Sequence, residues 1–273
     1  MTRKRLTQVF PWLLPLRIWQ RKKCFYWKMK TDGNKYADDI LEAALPYEVF
    51  STSALMVNEN SGHDIVYQYN KVHNLKLAGK TINHLLIEPG QTFSFWIRVR
   101  HADEKEPYKE GLVLVNDKII GEYGGGLCQL SNLLFWMFLH TPLSIVERHG
   151  HAIESFPTTT HDLPYGTDAT INEGWLDLKV KNNTEHFFQI EITFDEKNIY
   201  GSILSDARPG YQYEIYNRDV HYYRKNNAIY QASSVDCRKT HFVTGETLDH
   251  HLYDSVCEIG YELPENINIE EGE

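Results

Sequence analysis

The sequence predicts an α+β protein, a strand-rich body around a central buried helix at about residues 127–140, with further helices in the N-terminal part. Three observations support this class. The segment LCQLSNLLFWMFLH is apolar nearly all round, as expected of a helix in the middle of a fold. Most of the chain after it alternates apolar and polar residues between turn residues. The composition, 42% hydrophobic and 13% aromatic, indicates a substantial core and argues against disorder for most of the chain.

The first 30 residues form a basic segment, because they hold nine of the 28 Lys and Arg residues and no Asp or Glu. An apolar run over residues 9–16 is interrupted by Pro11 and Pro15 and closed by Arg17, so we predict neither an export signal nor a membrane span. The segment is expected to dock on the body of the protein or to make a peripheral contact with anionic lipid. These features predict a location in the cytoplasm or at the cytoplasmic membrane surface, with an extracytoplasmic location left open.

Charge and cysteine use restrict the function further. The rest of the chain carries 19 basic and 37 acidic residues, a net charge of −18, which argues against nucleic acid as the main partner because phosphate binding needs clustered cations. The four cysteines contain no CxxC pair, so the sequence supports neither a zinc ribbon nor a thioredoxin-type motif. Reduced thiols are therefore expected, while a pairing of Cys237 with Cys257 stays open.

In the first half of the chain, four segments have interpretable patterns. KYADDILEAALPYEVF, within residues 31–50, predicts a helix that ends at Pro46. DIVYQYNKVHNLKLAGKTINHLL predicts a strand followed by a helix with an apolar stripe. IEPGQTFSFW predicts a Pro-Gly turn and an alternating strand with Phe93 and Phe95 on one face. GLVLVNDKIIGEY predicts a hairpin that turns at its Asn-Asp dipeptide.

After the central helix, strands dominate the prediction. The strand-like segments are LSIVERHGHAIESF, GTDATINEG, WLDLKVKNNT, HFFQIEITFD and NIYGSILSD, with turn residues between them. Residues 211–260 add further strands, two of them around a turn at Asn226 and Asn227.

The segment EYGGGLCQLSN joins three glycines to a cysteine at the start of the central helix. Cys128 is expected in the first helical turn, where the helix dipole and unpaired N–H groups favour the reactive thiolate. The backbone of Gly124, Gly125 and Gly126 can approach a ligand closely and present N–H groups to a developing oxyanion, and Gln129 can add a side-chain donor. The alternative is an inert buried cysteine beside a flexible turn.

A second motif, IVERHGHAIES, adds two histidines. On a strand, Glu147, His149 and His151 share one face, with about 6.6 Å between neighbours. A histidine there can deprotonate the thiol, and an acid such as Asp168 can orient the imidazole. Two alternatives stay open: the histidines are structural, or His-x-His forms a transition-metal site with Cys128 or Asp168.

The order of five motifs resembles one known family. PGQTFSFW, YKEGLVLVN, GGGLCQLSNLLFWMFLH, IVERHGHAI and GTDATINEGWLDLKVKNNT occur in the order seen in the VanW family. The resemblance divides the chain into a basic segment (1–30), a helical and strand lead-in (31–69), a VanW-like domain (70–205) and a strand-rich C-terminal extension with an acidic tail (206–273).

The resemblance implies a cell-envelope protein of vancomycin resistance, with the chemistry of L,D-type peptidoglycan transpeptidases that use the motif cysteine. Carried over to this sequence, it makes Cys128 the nucleophile, His151 or else His149 the base, and Asp168 the orienting acid. The candidates for oxyanion or substrate binding are Gly124, Gly125, Gly126, Gln129, Glu147 and Arg148.

The residues and the resemblance together suggest cysteine-dependent acyl transfer on peptidoglycan peptides, transpeptidase- or peptidase-like, through a thioester on Cys128. A non-catalytic accessory protein that binds a cell-wall precursor or a glycopeptide is one alternative, and a metal-dependent hydrolase is another. The main hypothesis needs no cofactor and no metal, and its partner is a peptidoglycan peptide or precursor rather than nucleic acid.

Overall fold

The computed structural model describes residues 10–59, 62–115, 118–154, 163–264 and 266–272. A short 3-10 turn, Pro11–Leu13, precedes the first helix. The helices of the described ranges are α1 (Leu14–Thr31), α2 (Ile65–Ile82), α3 (Phe95–Val99) and α4 (Cys128–Leu139).

The strands outnumber the helices and confirm the predicted α+β class. They are β1 (Lys35–Tyr36), β2 (Tyr47–Leu55), β3 (Leu85–Ile87), β4 (Gln91–Ser94), β5 (Glu110–Val115), β6 (Lys118–Tyr123), β7 (Ser144–Glu147), β8 (Ile153–Glu154), β9 (Lys179–Lys181), β10 (Phe188–Phe194), β11 (Asn198–Ser205), β12 (Tyr211–Lys225), β13 (Ala228–His241), β14 (Thr247–Ile259) and β15 (Ile269–Glu271). Within the described ranges they form sheets of order β1-β4-β9-β7, β2-β11-β10-β3 and β15-β12-β13-β14-β8, and the hairpin β5-β6.

Helix α4 lies at the centre of the fold, as predicted. Most of its side chains are buried, and it packs against β2, β11 and α2. Gly201 of β11 allows the helix to approach the sheet closely, because a Cβ atom at this position would lie 2.4 Å from the Met137 sulfur. The rings of Phe93 and Phe138 pack with centroids 5.2 Å apart and join α4 to β4.

Residues 35–50, which are all described, contain no helix, so the predicted helix is wrong. Its start forms β1 and its end forms the first part of β2. The buried side chain of Gln189 supplies the reason. Its Oε1 accepts the N–H of Leu45 at 2.9 Å, and its amide group donates to the carbonyl of Leu41. The neighbouring strand β10 thus satisfies backbone groups that a helix would have paired internally.

The strand predicted before α2 is instead the first part of that helix. Asp64 is the N-cap, since its side chain accepts the N–H of Val66 at 3.0 Å. This bond pairs one of the N–H groups that a helix leaves free at its start. The helical part of the prediction is confirmed to Ile82.

The predicted strand around Phe93 is shorter than expected. Phe93 is buried in β4, but the hydroxyl of Ser94 accepts the N–H of Ile97 at 3.2 Å and starts α3. Phe95 is therefore buried in a helix rather than on the same strand face as Phe93.

The strands predicted after α4 are confirmed most clearly in two long antiparallel pairs. These are β10 with β11, and β12 with β13, whose two-residue turn has Asn226 at φ 51° and Asn227 at φ 64°. The hairpin of β5 and β6 is also present, with its predicted turn outside the described residues. By contrast, GTDATINEG forms no named strand, and β7 ends at Glu147, before both histidines of its motif.

Cys237 and Cys257 are free thiols and lie apart. In the pairing of β13 with β14, Cys237 stands opposite His250, and Cys257 stands opposite Gln231. The two cysteines are thus six residues out of register, about 20 Å along the strands, whereas a disulfide needs Cα atoms about 4 to 7 Å apart.

Helix α1 is 18 residues long and includes six Lys and Arg residues. Among the described residues, no helix is both long enough and apolar enough to cross a membrane.

Candidate active site

Cys128 is the first residue of α4 and follows a glycine turn out of β6. Gly124 and Gly126 have φ values of 78° and 90°, a region that favours glycine. A Cβ atom on Gly125 would lie 2.2 Å from the carbonyl oxygen of Gly111, and one on Gly126 would lie 2.2 Å from Cγ of Lys71. The three glycines are therefore needed to reverse the chain against β5 and α2 and to place the cysteine at a helix N-terminus.

Asn74 of α2 fixes this glycine turn, a role that the sequence reasoning missed. Its amide nitrogen donates to the carbonyls of Gly125 at 3.0 Å and Lys109 at 2.9 Å, and its oxygen accepts the N–H of Lys109 at 2.8 Å. The side chain is fully buried. The only signal in the sequence is an amide residue beside the apolar stripe of α2.

Asp168 connects the histidine motif to the site. One carboxylate oxygen accepts the backbone N–H of His151 at 2.6 Å and lies 2.5 Å from Nδ1 of the same residue. The other oxygen accepts from Nη2 of Arg148 at 2.7 Å. Because Nδ1 faces Asp168, Nε2 is the ring nitrogen left for the thiol.

Arg148 holds this loop by several contacts at once. It donates to the carbonyls of Asp168 and Gly166, each at 2.6 Å, in addition to its ion pair with the Asp168 carboxylate. Its guanidinium carbon lies 4.6 Å from the centre of the Tyr253 ring and 5.4 Å from that of Phe135. The arginine therefore positions the acid rather than contacting the thiol.

Three groups next to the Cys128 sulfur stabilise its thiolate form. These are the His151 side chain, the Ile171 backbone N–H and the Thr170 hydroxyl, whose oxygen lies 3.9 Å from the sulfur. Burial by itself raises the pKa of Cys128, but the hydrogen bond and charge of His151 outweigh it and lower that pKa below its ordinary value. Burial likewise lowers the pKa of His151, but Asp168 and Cys128 outweigh it and raise that pKa to about 10. The pair is therefore stabilised as thiolate and imidazolium.

Two polar residues of α4 join this helix to the loop that carries Asp168. The Ser131 hydroxyl donates to the Ala169 carbonyl at 2.5 Å, and the Asn132 side-chain oxygen accepts the Ala169 N–H at 2.8 Å. Both residues belong to the CQLSN motif, yet the apolar helix pattern gave no reason to assign them a role. They keep the residues on either side of Ala169 against the thiol.

His149 lies outside this constellation. Its Nε2 is 3.1 Å from the Glu147 carboxylate, which also pairs with Lys179 at 2.9 Å. The predicted common strand face is wrong because β7 ends at Glu147 and the chain then turns. Only His151 reaches the thiol, and the His-x-His metal set is not assembled. Among the described residues, no group of three or more His, Cys, Asp or Glu side chains has the arrangement of a metal site.

The predicted oxyanion donors are only partly in place. The N–H groups of Gly124 and Gly125 donate to carbonyls at 3.1 and 3.0 Å, and the Gln129 amide donates to the Leu55 carbonyl at 2.6 Å. In the described part of the chain, by contrast, no acceptor takes the N–H groups of the predicted donor Gly126, or those of Leu127 and Cys128. The free donors are thus at the first turn of α4, next to the sulfur.

The two reacting side chains are partly shielded from solvent. Cys128 is half-buried, and about a third (34%) of the His151 side chain is exposed. The arrangement therefore combines a thiol of lowered pKa, a histidine oriented by a carboxylate and free backbone donors, which are the features that nucleophilic catalysis requires.

Comparison with known proteins identifies the family. The sequence profile described as VanW like protein matches residues 70–204. Over 272 residues, 99% of each chain, the protein is 51% identical to the vancomycin B-type resistance protein VanW of Enterococcus faecalis (strain ATCC 700802 / V583). It is also 32% identical over 116 residues to the uncharacterized protein YoaR of Bacillus subtilis (strain 168). This aligned region covers 41% of this chain and 36% of YoaR. No solved structure matches. The full-length likeness and the profile match show that the chain belongs to the VanW family.

Proposed function

We propose that this VanW-family protein catalyses cysteine-dependent acyl transfer on peptidoglycan peptides and acts through this reaction in vancomycin resistance. The observation that carries the proposal is the hydrogen-bonded series from Cys128 through His151 to Asp168 at the start of α4. The name of the full-length relative supplies the resistance context. The resemblance to family members that cross-link peptidoglycan supplies the substrate class.

The first half-reaction forms a thioester. The Cys128 thiolate attacks a peptide carbonyl carbon, a C–S bond forms, and the carbonyl π electrons move to oxygen. The free N–H groups of Leu127 and Cys128 donate to that oxyanion. When the intermediate collapses, the C–N bond breaks and the His151 imidazolium gives its proton to the leaving amine.

The second half-reaction releases the thiolate. An amine, in a transpeptidase, or water, in a peptidase, attacks the thioester carbonyl while His151 takes a proton from the attacking group. The C–S bond then breaks and the thiolate and imidazolium are restored. Asp168 serves both steps by holding the His151 ring and stabilising its charged form.

Trapping of the thioester tests the proposal. The purified protein is incubated with synthetic peptidoglycan stem peptides at mildly acidic pH, and its intact mass is measured. We expect a mass increase equal to the acyl fragment, located on Cys128 by peptide mapping and absent from Cys128→Ala. Cys24→Ala is the matched control, since it removes an exposed thiol on α1 and should keep the adduct.

Resistance of cells that carry Cys128→Ala or His151→Ala distinguishes catalysis from the non-catalytic alternative. A catalytic role predicts that Cys128→Ala loses its contribution to resistance in cells, as His151→Ala does. If both variants fold and retain full resistance, the acyl-transfer proposal is wrong and binding of a precursor or glycopeptide explains the function.

A further inference from the structure

Helix α1 is fixed to the body of the protein along one face. Lys22 forms an ion pair with Glu173, and the Tyr26 hydroxyl donates to the same carboxylate at 2.8 Å. The Arg21 guanidinium lies 3.8 Å from the centre of the Trp175 ring, and the Met29 side chain is buried. These contacts give the helix a defined orientation on the protein surface.

The side chains of α1 that do not contact the body, and the turn before the helix, expose large apolar groups. Trp12 is 73% exposed, Trp19 58% and Trp27 65%. Leu16 is also exposed, and Trp19 and Trp27, eight residues apart, lie about 80° from each other around the helix axis. Indole rings are favoured at the headgroup level of a membrane, where one edge contacts hydrocarbon and the N–H remains hydrated.

The charge of this surface favours anionic lipid over a second copy of the protein. The helix has six basic residues and no acidic one, and the exposed cations include Arg17, Lys23 and Lys28. Lys23 lies 5.9 Å over the Trp19 ring, so cation and aromatic side chain are presented together. A second copy of α1 would meet this face with the same positive charge, whereas anionic headgroups complement it.

We propose that the exposed face of α1, with Trp12, Leu16, Trp19 and Trp27, is a docking surface for anionic phospholipid. The apolar side chains enter the interfacial region and the surrounding Lys and Arg residues bind headgroup phosphates, while the clamp on Glu173 and Trp175 holds the body on the other side. The strongly acidic body is repelled by the same lipids, which favours one orientation of the bound protein. This inference is independent of the reaction proposed for Cys128.

Co-sedimentation of the full-length protein with vesicles tests the surface. Binding is measured with vesicles of phosphatidylglycerol and phosphatidylcholine and with vesicles of phosphatidylcholine alone, at low and high salt. We expect binding only to the anionic vesicles and weaker binding at high salt. The triple variant Trp12→Ser, Trp19→Ser, Trp27→Ser should bind about tenfold more weakly. Arg17→Glu, Lys23→Glu, Lys28→Glu together should bind on the order of 100-fold more weakly.

The control removes exposed apolar side chains elsewhere. Phe242→Ser with Val243→Ser changes two exposed residues of the turn between β13 and β14 and should leave vesicle binding unchanged. Circular dichroism confirms that each variant is folded. Equal binding to both vesicle types, or unchanged binding of the folded Trp variant, would overturn the proposal. So would a wild-type dimer in light scattering that the Trp variant converts to a monomer.

Discussion

Replacement of Asp168 by Asn removes the charge of this residue and keeps its size and shape. The carboxylate lies 2.5 Å from Nδ1 of His151 and is one of the groups that raise the pKa of that imidazole to about 10. A hydrogen bond to a charged group contributes about 1.5 to 3 kcal/mol, or about one to two pKa units. Since both side chains are about a third exposed, we take the lower end. Asp168→Asn should therefore raise the Cys128 thiol pKa by about one unit, because its thiolate loses part of the stabilising imidazolium charge.

The pH dependence of alkylation measures this shift. The rate of Cys128 modification by iodoacetamide is followed from pH 4 to 10 in a Cys24→Ser background, which removes the exposed thiol of α1. The inflection should move upward by about one pH unit in Asp168→Asn. Asp206→Asn is the matched control, since Asp206 faces His186 at 3.7 Å in a separate ion pair. An inflection that stays in place in Asp168→Asn would show that the acid does not tune the thiol.

Two further predictions concern stability. Gly126→Ala should destabilise the fold by about 1 to 3 kcal/mol in urea denaturation, because φ is 90° and the new Cβ meets Lys71 at 2.2 Å. Gly210→Ala, with no atom near its Cβ and no positive φ, should change the stability by less than about 0.5 kcal/mol; equal effects of the two would refute the packing argument. Burial raises the pKa of Asp177 to about 6 although Ser94 donates to it, so the folded state binds this proton more tightly than the unfolded state. Stability should therefore fall by about 3 kcal/mol as the pH rises from about 4 to above 6, and Asp177→Asn should remove that decrease; an unchanged pH profile would contradict it.

The sequence allowed prediction of those features that depend on local pattern. Helix α4 is apolar around its whole circumference, and only a buried helix tolerates that composition, so its position and bounds follow closely. The turn at Asn226 and Asn227 is similarly local, because two residues with positive φ specify a tight hairpin.

The errors come from contacts between residues distant in sequence. The apolar periodicity at residues 35–50 suggested a helix, but Gln189, about 150 positions away, binds the carbonyl of Leu41 and the N–H of Leu45. The choice between His149 and His151 has the same origin. Strand alternation treats the two histidines alike, whereas the turn held by Arg148 brings only His151 to the acid.

One short loop connects the thiol to the surface of α1. The Ile171 backbone N–H stabilises the Cys128 thiolate, and two residues later Glu173 binds Lys22 and Tyr26 of α1. Two residues span at most about 7 Å and a helix is about 10 Å across, so a lipid-bound α1 would hold the thiol within about 20 Å of the headgroups. A thiol held at that distance meets first the substrates that are themselves attached to the membrane. The two proposals, acyl transfer at Cys128 and lipid docking by α1, thus jointly favour a peptidoglycan precursor still attached to the membrane as the substrate.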